Sequence, residues 1–332
     1  MADIDKTIVI DGTNATPEFG NCPVCGVAMQ PDNSLPGALR CPVCNFMQKP
    51  KTVIAPGHIV LNKYRILSSL SSGGFGDIFI CHPLDDVTVR YVLKVLKAAT
   101  TNNSKRFRRE AAILASIKDE DRIARVMDFW EDDGEMFIVM EYINGMNLKQ
   151  VMEKYDVDEK TALQVARETA VALQHIWEQH SIIHRDIKPE NIMLNEEFSL
   201  KLLDFGLSKQ CVEDGGSDIT MANSSLGTPG YMSPEQFTDS RNVDFRTDIF
   251  SLGATMFYLL TGKSPSAGDS LDQIYNDTLV NAPPPAEKLE GKCSPGCIRL
   301  IQWMMQKDPD DRIGSYMELL DEIDQLLYQL PD

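Results

Sequence analysis

Residues 184–206 restrict this chain more tightly than any other stretch of it. His184-Arg185-Asp186-Ile187-Lys188-Pro189-Glu190-Asn191 is followed, thirteen residues after Asn191, by Asp204-Phe205-Gly206. Strand-like Ile192-Met193-Leu194, a turn, and Leu200 to Leu203 lie between. Moving a phosphoryl group needs a carboxylate to orient and deprotonate the acceptor hydroxyl, and oxygen ligands to hold magnesium on the phosphates. Asp186, Asn191 and Asp204 supply those groups.

At these residues the sequence closely resembles the protein-kinase superfamily. The resemblance implies Asp186 as catalytic base, Asn191 and Asp204 as magnesium ligands with manganese as an alternative ion, and Lys188 as a charge beside the transferred phosphoryl. Lys188 in this place looks like the serine/threonine class. The implied fold is α+β and bilobal, with a small β-rich N-lobe and a larger α-helical C-lobe. Upstream, Ser71-Ser72-Gly73-Gly74-Phe75-Gly76-Asp77-Ile78 sits between two strand-like runs, and Lys94 follows eighteen residues after Gly76. A lysine amid the apolar run Tyr91-Val92-Leu93-Lys94 needs a reason to be there, and a pair with the α/β-phosphates and with Glu110 supplies one. The resemblance implies ATP contacts at Ser71, Gly73, Gly74, Phe75, Gly76, Ile78, Val92 and Lys94. It extends them to Met140 as gatekeeper, to Glu141 and Ile143 through their main chain, and to Met193. Ser71 and Val92 depart from the family's Gly and Ala.

Cys22-Pro23-Val24-Cys25 and Cys41-Pro42-Val43-Cys44 are separated by fifteen residues. Two such knuckles complete a tetrahedron of thiolates, so Cys22, Cys25, Cys41 and Cys44 are expected to hold structural zinc, with iron as the competing metal. The expected organisation is a disordered tail over residues 1–20, a zinc ribbon over 21–47, a linker over 48–60 and a kinase domain over 61–330, divided into lobes at 143/144. Strand-like runs at Tyr64 to Leu70, Ile78 to Cys81, Val89 to Leu96 and Phe137 to Tyr142 suit the smaller lobe. One helix interrupts them near Ser104 to Ile117. A second, with Ala162, Val165, Ala166, Ala170, Leu173, Ile176 and Trp177 on one face, has Asp158 as its N-cap.

A formal charge of -17 repels phosphate backbones, so nucleic acid is not expected as a partner. Protein substrates with Ser or Thr acceptors are, and Glu190 with the acidic surface suits basic residues near the acceptor. The ribbon, poor in basic residues, is expected to contact protein or the kinase's own lobe. No apolar run has signal-peptide or membrane-spanning length, and neither terminus carries a lipidation motif, so a cytoplasmic protein without a membrane anchor is expected. A scaffold without turnover would lack one of Lys94, Glu110, Asp186, Asn191 or Asp204, and all five are present.

Residues 204–235 resemble an activation segment. Arg185 places a guanidinium beside Asp186, and a phosphate on the segment is its expected partner, with Thr220 the leading site and Ser224 and Ser225 the alternatives. Thr228 is expected to bond Asp186 and Lys188. The resemblance also implies a buried Glu235–Arg312 ion pair, an anchoring role for Asp248, and packing and hydrogen bonding by His184.

Overall fold

The computed structural model describes residues 21–22, 25–31, 39–45, 47–48, 54–73, 76–97, 108, 111–132, 135–204, 229–239, 242–266 and 271–331. The chain divides into two compact units, one of residues 1–68 and 81–89, the other of residues 69–80 and 90–332.

In the first unit, β1 (Gln30–Pro31), β2 (Leu39–Arg40) and β3 (Met47–Gln48) form an antiparallel ribbon, with Gln30 opposite Arg40 and Leu39 opposite Gln48. Its buried apolar cluster is Cys22, Met29, Leu39 and Cys41. So small a core needs a staple such as a metal to hold a unique structure. In the same unit β4 (Ile59–Val60) pairs with the start of β5 (Tyr64–Gly73), Val60 lying opposite Tyr64.

The second unit contains the end of β5, the start of β6 (Gly76–Pro83), β7 (Tyr91–Lys97), β9 (Glu135–Glu141) and β8 (Val126–Asp132), hydrogen-bonded in that order. Directly opposed residues of an antiparallel pair share a face. Val92, Lys94 and Leu96 therefore lie on the same face as their partners Met140, Ile138 and Met136. The approach of β6 to β7 requires glycine at position 76. Its φ is +135°, and a Cβ there would stand 1.9 Å from the Val95 carbonyl oxygen. Residues 111–116 are helical, with Ala111, Leu114 and Ile117 buried in the core, within the span expected from the sequence.

After β9 come the short strand β10 (Gly145–Asn147) and helices α1 (Leu148–Lys154) and α2 (Glu159–His180). Asp158 caps α2 by accepting the Thr161 N–H at 2.8 Å, and Ser181 ends it in the left-handed conformation. Its apolar face, which includes Ala162, Ala166, Ala170, Leu173 and Ile176, is buried. Strands β11 (Ile192–Asn195) and β12 (Leu200–Leu202) complete a three-stranded sheet in the order β10-β11-β12. Helices α3 (Pro234–Thr238), α4 (Arg246–Thr261), α5 (Leu271–Asn281), α6 (Pro295–Met304) and α7 (Tyr316–Gln329) follow. Helix α4 is buried along nearly its whole circumference, which fits its run of apolar and small residues. Helix α2 packs against both α4 and α7. Among the described residues, no helix is long and apolar enough to cross a membrane.

Candidate active site

The loop between α2 and β11 presents the string that dominates the sequence. His184 and Asp248 are almost fully buried, and the Asp248 carboxylate accepts the His184 N–H at 2.7 Å and the Arg185 N–H at 2.8 Å. His184 is held at its other end, where Nε2 lies 2.7 Å from the Leu203 carbonyl oxygen. That contact makes Nε2 the donor and leaves Nδ1 to accept the Asp186 N–H at 3.3 Å. Arg185 takes a φ of 65° and Asp204 one of 52°, a left-handed backbone that a side-chain-bearing residue keeps only when its surroundings hold it. For Arg185 the hold is visible on both sides, since Gln236 Nε2 donates to its carbonyl oxygen at 2.9 Å.

This support converges on Asp186. Its Oδ2 lies 2.9 Å from Lys188 Nζ and accepts from Asn191 Nδ2 at 2.8 Å, while Asn191 Nδ2 also donates to the Asp186 carbonyl oxygen at 2.7 Å. Asn191 sits in the 3-10 turn Pro189–Asn191, and its own carbonyl oxygen accepts the Leu203 N–H at 2.8 Å, one residue before Asp204. Across the cleft, Lys94 Nζ pairs with Asp204 Oδ1 at 2.9 Å. A cavity beside that pair is lined by Lys94, Leu96, Leu114, Ala124, Val126, Ile138, Met140 and Asp204.

Met140 and Ile143 are buried at either side of the connection from β9 to β10. Glu141 between them is clasped to neighbouring segments. Its N–H donates to the Arg125 carbonyl oxygen at 2.8 Å, its carboxylate accepts the Arg125 N–H at 3.2 Å, and Lys201 Nζ lies 3.2 Å from the same carboxylate. The Lys201 contact was not anticipated from the sequence. The only hint was a charged residue inside the apolar run Leu200-Lys201-Leu202-Leu203. Val92 lies opposite Met140 in the β7–β9 pair, and Met193 opposite Lys201 in the β11–β12 pair. Ser71 lies near the end of β5, and Gly76 and Ile78 lie in β6; Gly73 is the last residue of β5. Gly74, Phe75, Glu110, Thr220, Ser224, Ser225 and Thr228 lie outside the described residues.

The scaffold pair is bidentate. Arg312, its side chain wholly buried, places Nη1 2.6 Å from Glu235 Oε1 and Nη2 2.7 Å from Oε2, and Thr247 Oγ1 donates to Oε1 at 2.7 Å. Burial pushes the Glu235 carboxyl up, but the hydrogen bonds and charge of Arg312 outweigh it and hold the pKa below its ordinary value.

At the ribbon, the sulfur atoms of Cys22, Cys25, Cys41 and Cys44 all lie within 4.8 Å of one another. Cys22 and Cys44 are 3.5 Å apart at sulfur, Cys25 and Cys41 3.3 Å. Four sulfurs about 2.3 Å from one ion stand roughly 3.8 Å from each other, so the donor set fits a tetrahedral metal. Backbone N–H groups of Cys44 and Val43 aimed at the Cys41 sulfur bring its thiol down to about 6, toward the thiolate that metals bind.

The family model for the protein kinase domain matches residues 64–323. The chain belongs to the protein kinase domain family. As a protein kinase domain it is similar to serine/threonine-protein kinase pkn3 of Myxococcus xanthus, 34% identical over an alignment of 282 residues that covers 81% of this chain and 51% of that protein. It is also similar to the serine/threonine-protein kinase PrkC of Bacillus subtilis, 32% identical over 77% of this chain and 39% of that one. For PknB of Mycolicibacterium smegmatis the figures are 30%, 80% and 43%. The chain thus spans about half the length of these curated relatives or less. Among solved structures, Rad53 1-466 in complex with AMP-PNP shares the kinase fold, with a TM-score of 0.64 at 23% identity, over 78% of this chain and 64% of that one. The likeness gives the β-rich N-lobe and helical C-lobe of the kinase fold.

Proposed function

We propose that this chain is an ATP-dependent protein kinase that phosphorylates Ser and Thr hydroxyls of proteins. The observation that carries this reading is the convergence of Lys188 and Asn191 on Oδ2 of Asp186, in a loop anchored from below by Asp248. Magnesium-bound ATP supplies the γ-phosphoryl group and a good leaving group. Asp186 orients the acceptor hydroxyl and takes its proton as the oxygen attacks, while Lys188 offsets the charge on the transferred group. Asn191 and Asp204 would hold the ion, and Lys94 would bind the α/β-phosphates with Glu110 as its helix partner. The adenine would lie against Val92, Met140 and Met193 and make main-chain hydrogen bonds with Glu141, through its carbonyl oxygen, and with Ile143. Names of the relatives support the Ser/Thr class, as does Lys188 in its position.

The deciding experiment is Asp186→Asn. Nucleotide binding should persist and phosphate transfer to a generic protein substrate should fall by at least ~100-fold, because the positioning groups survive and the base does not. Transfer at the wild-type rate by that variant would sink the mechanism.

We further assign zinc to the four ribbon cysteines, as a closed structural site with protein or the chain's own kinase domain as the ribbon's target. Reduced thiolates suit the cytoplasm. Control is assigned to phosphorylation of the activation segment, with Thr220 first and Ser224 and Ser225 after it, through ordering by Arg185. Mass spectrometry of active enzyme should find phosphate on one of these three, and full activity in the triple alanine variant would locate control elsewhere.

A further inference from the structure

Gln236, in the short helix α3, joins two parts of the fold through one side-chain amide. Its Oε1 accepts the Ser233 N–H at 3.1 Å, and its Nε2 donates to the Arg185 carbonyl oxygen at 2.9 Å. A backbone donor at one end and a backbone acceptor at the other leave the amide a single orientation. The Ser233 end is firmly seated. Thr247 Oγ1 gives its one proton to Glu235 Oε1 at 2.7 Å, so in its contact of 3.2 Å with Ser233 Oγ the serine is the donor. Ser233 and Thr247 are fully buried, and Arg312 holds Glu235 from the other side. A chain of hydrogen bonds thus joins Arg312, Glu235, Thr247, Ser233 and Gln236 to the loop that holds Asp186.

The other end of the amide meets the backbone where its geometry is costly. Arg185 has a φ of 65°, a conformation that relaxes unless its neighbours hold it. Its carbonyl oxygen and the Asp186 N–H belong to one planar peptide unit. Gln236 holds the oxygen edge of that unit, His184 Nδ1 accepts from its N–H edge at 3.3 Å, and Asp248 accepts the preceding N–H of Arg185 at 2.8 Å. With both edges of the plane held, the direction in which the Asp186 carboxylate leaves the backbone is held too. Capping α3 accounts for Oε1 alone. It gives no reason for a donor aimed at a residue 51 positions earlier. We propose that Gln236 is a positioning residue for phosphoryl transfer, fixing the Arg185–Asp186 peptide so that the Asp186 carboxylate faces the acceptor hydroxyl. This rests on the role proposed above for Asp186 and deepens it, because it ties that base to the end of the segment that closes at Glu235.

The test uses the full chain with Gln236→Glu and Gln236→Met. The glutamate keeps an acceptor for the Ser233 N–H but, as a carboxylate, has no proton to offer Arg185, whereas methionine supplies neither group. Both variants should lower kcat on a generic protein substrate about tenfold at neutral pH, with the KM for ATP within about twofold of wild type. A side chain needed only to cap α3 would leave Gln236→Glu at the wild-type rate. Amide hydrogen exchange reads the same contact without turnover. The amides of His184, Arg185 and Asp186 should exchange about three- to tenfold faster in both variants, the size of one lost hydrogen bond. The proposal is overturned by a wild-type kcat in Gln236→Glu, by a loss that falls on the KM for ATP instead of kcat, or by unchanged exchange at these three amides. A wild type that binds nucleotide and transfers no phosphate would overturn the activity proposed above, and exchange at the three amides would then decide by itself whether Gln236 holds the peptide.

Discussion

Glu235 and Arg312 show how one buried pair can bear on the stability of the helical part of the domain. Arg312 also donates to the carbonyl oxygens of Gln306, Arg246 and Lys307, so its charge is fully hydrogen-bonded with no exposed surface. Replacing it with methionine strands the Glu235 carboxylate, and a loss of about 3–5 kcal/mol in urea unfolding at neutral pH is expected. The pair also predicts an acid limb. Because the folded state holds the Glu235 pKa below its ordinary 4.5, the stabilisation is complete above that value and is lost as pH falls through the lower folded value. Wild-type stability should therefore fall more between pH 6 and pH 3 than that of Glu235→Gln, and equal slopes for the two would contradict the linkage.

Helix α2 leads at its C-terminal end into the loop that holds Asp186, so its own stability bears on the candidate site. Its start depends on Asp158, which is exposed enough that replacement leaves no cavity. Asp158→Ala should lower unfolding free energy by ~1 kcal/mol, with the KM for ATP unaltered, since the change removes one cap and no packing. An unaltered melting temperature would show that packing against α4 and α7 alone defines the helix start. The sheet has a comparable device at Gly76, where β6 comes so near the Val95 carbonyl that no side chain fits. This is a steric reason for that glycine, independent of any role in holding phosphates.

The ribbon and the kinase domain differ in what sustains them. The kinase domain has an extensive core running from Leu96 to Ile323, whereas the ribbon's cluster has four members among the described residues, two of which are cysteines of the candidate metal site. Zinc binding should then be inseparable from ribbon folding and separable from kinase folding. Elemental analysis should find about one zinc per chain, lost in Cys22→Ser. Chelation should raise hydrogen exchange over residues 39–48 while the main unfolding transition remains. Native protein devoid of zinc, or holding only iron, would overturn the metal assignment.

The chemistry written in contiguous strings was legible at once. His184 to Asn191, each cysteine knuckle and the Asp158 cap place interacting groups within a few residues of one another, where chain geometry leaves little choice of partner. The Glu235–Arg312 pair could be named over a long separation because a family pattern already joined it, whereas Lys94, expected to pair with Glu110 outside the described residues, meets Asp204. The clasp of Lys201 on Glu141 and the pair of Lys149 with Glu190 had no such guide. A lysine on a helix or strand reads as a solvated charge, and which carboxylate it meets across 60 or 41 residues depends on how the segments cross. The same holds for Glu190 Oε2, which is buried without a hydrogen bond among the described residues. Its burial comes from elements that meet only in the folded chain, because desolvation is a property of the assembled surroundings and no single residue carries it.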